Sequence, residues 1–155
     1  MKEKNYGIFN INFLDNIIKN KRSEMLNILS KNINNKNLMS FLDIGTTEDN
    51  ELESSNFFLK KFKQISIKKS ISDQNINNKN FNNVLKKSIT STFIDHEVDI
   101  YKSDLVISSA TIEHVGNYEN QFKMLENIMQ LTSKYFFITT PNRFFPIDFH
   151  TKIPL

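Results

Sequence analysis

The chain contains no cysteine, which excludes a disulfide framework and every thiolate metal site. Its three histidines, His96, His114 and His150, together with Glu113, show no zinc-type ligand spacing, so no metal site is expected. Glycine is scarce, with three residues in all. The Gly-x-Gly-x-x-Gly loop that a nicotinamide-dependent oxidoreductase would want at Gly45 is absent. Long hydrophobic runs are missing too, and no stretch approaches the length of a membrane span. The opening "MKEKNYGIFNINFLDNIIKNK" interrupts its apolar residues with Asn and Asp, unlike a signal peptide, so a cytoplasmic location is expected.

What is present points to a folded domain. Hydrophobic residues make up 39% with 14 Phe, and charged residues 24%, a globular composition. A length of 155 residues suits one structural domain. The formal charge of +3 would invite a nucleic-acid partner, but Lys is mixed with Asn and Ile throughout. That joint enrichment is what AT-rich coding sequence produces, and no nucleic-acid partner is expected. The sharpest basic cluster, "KKFKQISIKK", reads as a solvated helix end and strand rim.

Apolar positions from Ile11 to about Lys31 fall at helical spacing, so residues 1–37 read as an N-terminal helix and linker. Residues 38–155 read as the main domain. Leu38 to Ile44 is a first strand, and Glu51 to Phe62 a helix with Asp49 or Asn50 to cap it. "QISIKKSIS" alternates as a second strand. The Asn-rich "DQNINNKNFNNVLKK" reads as loop with a short helical piece around Phe81 to Lys87, and a third strand is placed within Ser88 to Ile94. "DLVISS" is a buried strand, followed by a helix capped by Asn117 in which Tyr118, Phe122, Leu125 and Met129 recur at i, i+4, i+7 and i+11. "KYFFITTPN" is a fifth strand stopped by Pro141. Strand and helix alternate, which predicts an α/β fold, an open and mostly parallel sheet with helices on both faces.

In such sheets ligands sit outside the carboxyl ends of the strands. Three loops with unusual chemistry follow strand ends: "DIGTTEDN", "SSATIEHVGNYENQ" and "TTPNRFFPIDFHTKIPL". Gly45 lets backbone approach a ligand or adopt a positive φ. Asp43 offers a carboxylate suited to an ammonium group. The plainer alternative is that Gly45 only makes a turn and Asp43 only caps it.

With these residues in view, the chain resembles a class I S-adenosylmethionine-dependent methyltransferase of the broad "type 11", Rossmann-like kind. "FLDIGTT" resembles the family's first motif, "DLVISSATIEHVG" its fourth-strand segment with Glu-His-Val, and "FFITTPNRFFPIDFHTKIPL" its fifth strand and following loop. The resemblance implies S-adenosyl-L-methionine as cofactor, bound by Asp43, Gly45, Thr46 and Ser109. Asp73 would take the ribose hydroxyls and Asp95 would approach the adenine amino group. The loop departs from the family's frequent Gly-x-Gly by continuing Thr46, Thr47, whose hydroxyls are candidates to compensate. Glu113 and His114 are the candidate catalytic pair, with a structural role for both as the alternative. Asn142, Arg143 and His150 are candidates to bind an unidentified small-molecule or lipid-like acceptor. The family's sheet has seven strands and five are found, so the last two are expected to be missing, as in a C-terminally truncated domain. The alternative function is a non-catalytic, methyltransferase-like module that binds the cofactor or a partner.

Overall fold

The computed structural model describes residues 5–6, 9–33, 37–48, 52–77 and 79–141. A short antiparallel pair, β1 (Asn5–Tyr6) and β2 (Phe9–Asn10), leads into helix α1 (Ile11–Asn32). The main sheet comprises β3 (Ser40–Ile44), β4 (Ile67–Ser72), β5 (Asn83–Lys86), β6 (Ser103–Ser109) and β7 (Thr132–Thr139). All of its pairings are parallel, in the order β5-β4-β3-β6-β7. Helices α2 (Phe57–Lys61), α3 (Asp95–Tyr101) and α4 (Tyr118–Leu131) connect the strands. The result is an open α/β sheet of the doubly wound, Rossmann-like class.

Helices cover both faces, which is why the central strands read as nearly unbroken apolar runs. On one face Phe41, Leu105 and Ile107 pack with Leu29 of α1 and with Phe57, Phe58 and Leu59 of α2. On the other, Leu42, Ile44, Ile71 and Val106 pack with Tyr101 of α3 and with Met124, Ile128 and Leu131 of α4. Helix α1 thus belongs to the same core as the sheet.

Three expectations need correction. The third strand is Asn83–Lys86, inside the segment read as loop and helix, and not within 88–94. As an edge strand with mostly exposed residues it needs backbone pairing with β4 more than apolar side chains, so its pattern is weak. Ile89 and Phe93, which suggested a strand, are buried in the connection to α3. Helix α2 is limited to five residues, because Asn56 precedes it in the left-handed conformation at φ 49° and makes no cap hydrogen bond. Asp49 and Asn50, the expected caps, lie outside the described residues. Helix α3 occupies a stretch to which the sequence assigned no element; Glu97 accepts from the Ile94 N–H at 3.0 Å and closes its first turn.

The third correction concerns α4. Its cap is as expected, with the Asn117 side chain accepting from the Asn120 N–H at 3.0 Å. Its buried face, however, is Met124, Asn127, Ile128 and Leu131, whereas Tyr118, Phe122 and Met129 point to solvent. The helix carries two apolar stripes, and docking on the sheet selects the one the i, i+4 series did not mark.

Candidate functional site

The chain runs from β3 outward through β4 to β5, then returns to the other side of β3 for β6 and β7. The order therefore reverses between β3 and β6, and a cleft of about 630 Å3 opens above the carboxyl ends there. Asp43, Ile44 and Gly45 line it from β3, Ser72 and Asp73 from β4, and Ser109, Ala110, Thr111 and His114 from β6. Helix α1 contributes Ile18 and Arg22, and the approach to α2 contributes Ser54 to Asn56.

Asp43 is the chemical centre of this cleft. Its register partners Ser70 and Ile107 put it on the sheet face that carries α1 and α2, and it is 8% exposed. Burial pushes its carboxyl up to about 6, opposed by a hydrogen bond from Thr46 and by the charge of Arg22. The Thr46 hydroxyl donates to Asp43 Oδ2 at 2.7 Å and accepts from Ser70 Oγ at 2.8 Å. Ser72 Oγ donates to the Thr46 carbonyl at 2.9 Å, and the Gly45 N–H to the Ile71 carbonyl at 2.9 Å. Thr46 is 2% exposed and does not line the cleft. Where a second glycine would let a ligand approach, this loop instead turns a threonine inward to brace the carboxylate against β4.

Gly45 has two reasons to be glycine. Its φ is +82°, which side chains rarely adopt, and a Cβ there would lie 2.3 Å from Thr111 Oγ1. Thr111 in turn donates to the Ile44 carbonyl at 3.3 Å, joining the loops after β3 and β6. The neighbouring Ala110 also has a positive φ of 55°, an unusual value for a residue with a side chain. Its N–H donates to the Thr139 carbonyl at 2.9 Å, and Thr139 Oγ1 donates to Ser109 Oγ at 3.0 Å.

The opposite wall is set by α1. The buried Asp15 carboxylate accepts from the N–H groups of Glu53 (3.2 Å) and Ser54 (3.1 Å), while Arg22 donates to the Ser54 carbonyl. Burial lowers the Arg22 pKa, and the charges of Asp43 and Asp15 oppose that fall. A guanidinium in this setting stays charged.

The other expected residues divide. Asp73 is exposed at the end of β4 and Ser109 ends β6, both on the cleft. Asp95 is the first residue of α3 and is not among the lining residues. Glu113 and His114 sit in a single 3-10 turn, Ile112–His114. His114 opens on the cleft, and its Nε2 is 3.9 Å from Glu113 Oε1. Glu113 does not line the cleft; both its carboxyl oxygens are buried and accept no hydrogen bond. Asn142, Arg143 and His150 lie outside the described residues. Sequence reasoning missed Arg22. For Arg22 a signal existed: it is one of two arginines among 20 basic residues in a lysine-biased chain.

Among the described residues no helix is long and apolar enough to cross a membrane. A scan against protein-family models, a comparison with curated proteins and a comparison with solved structures each return no match.

Proposed function

We propose that this chain binds S-adenosylmethionine in the cleft between β3 and β6 and transfers its methyl group to an acceptor. One observation carries the reading: a carboxyl, Asp43, and a guanidinium, Arg22, line one cavity beside Gly45 at the reversal of strand order. A zwitterionic amino-acid end calls for such a pair, a carboxylate for its ammonium and a cation for its carboxylate. Asp73, at the adjoining strand end, suits a vicinal diol. A cavity of about 630 Å3 is within the range for a ligand of nucleoside size. The residues present therefore fit the cofactor, with Asp43, Arg22, Gly45, Asp73 and Ser109 as the groups that would hold it. The five-stranded parallel sheet is compatible with the Rossmann-like methyltransferase fold that the motifs resemble.

When bound, this cofactor supplies a methyl group already activated on a positive sulfur. The work left to the chain is orientation and exclusion of water, so a strong base is not required. His114, which lines the cleft, would take a proton from an acceptor hydroxyl or amine at a ring nitrogen. Glu113 does not line the cleft and is left outside this scheme.

The position of Glu113 also favours a second reading, a module that keeps the cofactor cleft without turnover. Titration calorimetry with S-adenosylhomocysteine tests the shared premise, and labelled methyl transfer to candidate acceptors separates the two. Binding that weakens at least tenfold in Arg22→Gln and in Asp43→Asn is expected. Absence of binding to the intact chain, or unchanged affinity in both variants, would overturn the proposal.

A further inference from the structure

One face of α1 grips the segment that leads into α2 beside the cleft. We infer that Asp15 is a positioning residue for the ligand: through Ser54 it fixes Arg22, and so makes the cleft select ligands that carry an amino-acid carboxylate. The inference rests on the reading of the cleft given above and deepens it. Asp15 and Arg22 both belong to α1. At about 100° per residue, their separation brings them within about 20° of one line along the helix. Ile18 and Lys19 fall between them on the same side. Ile18 and Arg22 line the cleft, so this face of the helix reaches both the ligand space and the gripped segment.

Three side chains of this face meet the same dipeptide, Glu53-Ser54. Buried Asp15 accepts from the Glu53 N–H through Oδ2 at 3.2 Å and from the Ser54 N–H through Oδ1 at 3.1 Å. Lys19 pairs with the Glu53 side chain, and the Arg22 guanidinium donates to the Ser54 carbonyl. Ser54, itself buried, is thus held at both polar ends of its backbone. The Lys19 pair is exposed and contributes little, whereas a carboxylate accepting two N–H groups makes charge-assisted bonds that are stronger than neutral ones. Beyond Ser54, the Asn56 side chain donates to the Thr47 carbonyl at 2.8 Å, tying the segment to the loop after β3. Thr47, Ser54 and Asn56 all line the cleft.

The grip bears on one end of the ligand only. A guanidinium carries its donors in a rigid planar fork, so the bond to Ser54 orients the group and leaves further donors for a carboxylate. Asp43 and Asp15 both bring negative charge to Arg22, which keeps the cation at the mouth of the pair that would receive a zwitterion. If Ser54 were released, the long Arg22 side chain would have to be ordered at the moment of binding, and that cost would fall on the amino-acid end. Asp73, at the end of β4, takes no part in these bonds, so a nucleoside held there is indifferent to them.

The test is calorimetry of the intact chain and of Asp15→Asn with two ligands, S-adenosylhomocysteine and 5′-methylthioadenosine, which lacks the amino-acid end. Asn keeps the shape but loses the charge and turns a donor toward one of the two N–H groups. S-adenosylhomocysteine should bind about tenfold more weakly to the variant, and methylthioadenosine should change by less than about twofold. In an Arg22→Gln background the same substitution should cost less than about threefold, because its effect runs through Arg22. A further measurement needs no variant: in the wild type, S-adenosylhomocysteine should slow hydrogen exchange at the Glu53 and Ser54 amides about tenfold, and methylthioadenosine should not. Unchanged affinity in Asp15→Asn, equal weakening of both ligands, full additivity with Arg22→Gln, or equal slowing of exchange by both ligands would overturn the inference and leave the reading of the cleft standing. Binding of neither ligand to the wild type would overturn that reading, and this inference with it.

Discussion

Replacing Asp43 with Asn should make the protein more stable above pH 6 while removing ligand affinity. The carboxyl rises from 3.8 to about 6 because it is buried. A raised acid binds its proton more tightly folded than unfolded. Below about pH 3.8 both states hold the proton and the site is neutral to stability. As pH rises from 3.8 to 6 the unfolded chain ionises first, and stability falls until the folded carboxyl also ionises. At about 1.4 kcal/mol for each pH unit, the loss above pH 6 is about 3 kcal/mol. Asn keeps the acceptor for the Thr46 hydroxyl without the charge, so it escapes this loss. Urea unfolding of wild type and Asp43→Asn at pH 4 and pH 7.5 measures it, because subtraction cancels the other titrating groups. The difference between the two proteins should change by up to about 3 kcal/mol in favour of Asn on going to pH 7.5. Parallel pH profiles, or an Asn variant less stable than wild type at pH 7.5, would show that the charge of Arg22 outweighs desolvation and would refute the reasoning.

Gly45→Ala places a side chain at φ +82° and 2.3 Å from Thr111 Oγ1, and should destabilise by about 2–4 kcal/mol in chemical denaturation. Adding Thr111→Ala should restore part of that loss by removing the two nearest atoms. On α4, Ile128→Ala should cost about 2–5 kcal/mol. Met129→Ala, measured dilute, should stay within about 0.5 kcal/mol, which distinguishes the buried stripe from the exposed one.

The legible parts of this fold were those where burial on both sides leaves a mark. Strands β3 and β6 announce themselves as short apolar runs, β7 is marked instead by its β-branched and aromatic residues, and a parallel sheet follows from their alternation with helices. β5 was misplaced because an edge strand is held by backbone bonds to β4, which its side chains do not encode. The face of α4 could not be chosen from periodicity, since two stripes satisfy it. At the site, Asp43, Gly45, Asp73, Ser109 and His114 were visible as residues following strand ends. Arg22 was not, because it reaches the cleft from a helix packed across the sheet, a contact 21 residues removed from Asp43. Thr46 was placed in the right loop with its hydroxyl directed the wrong way; only the serines of β4 reveal that it turns inward.

The contact between Gly45 and Thr111 has a consequence for how the cleft meets a ligand. It locks the turn after the first strand of the sheet to the turn after the fourth, at the line where the two halves of the topology meet. Thr111 fills the space a Cβ would occupy and donates to the Ile44 carbonyl, so the two turns are packed against each other. For the ligand proposed above, a floor packed in this way would need little further ordering on binding. Its association would then keep more of its gross contact energy than at a site whose loops must first be ordered. The same lock transmits: a substitution in the "SSATIEH" turn that moves Thr111 should be felt at Asp43, one strand away.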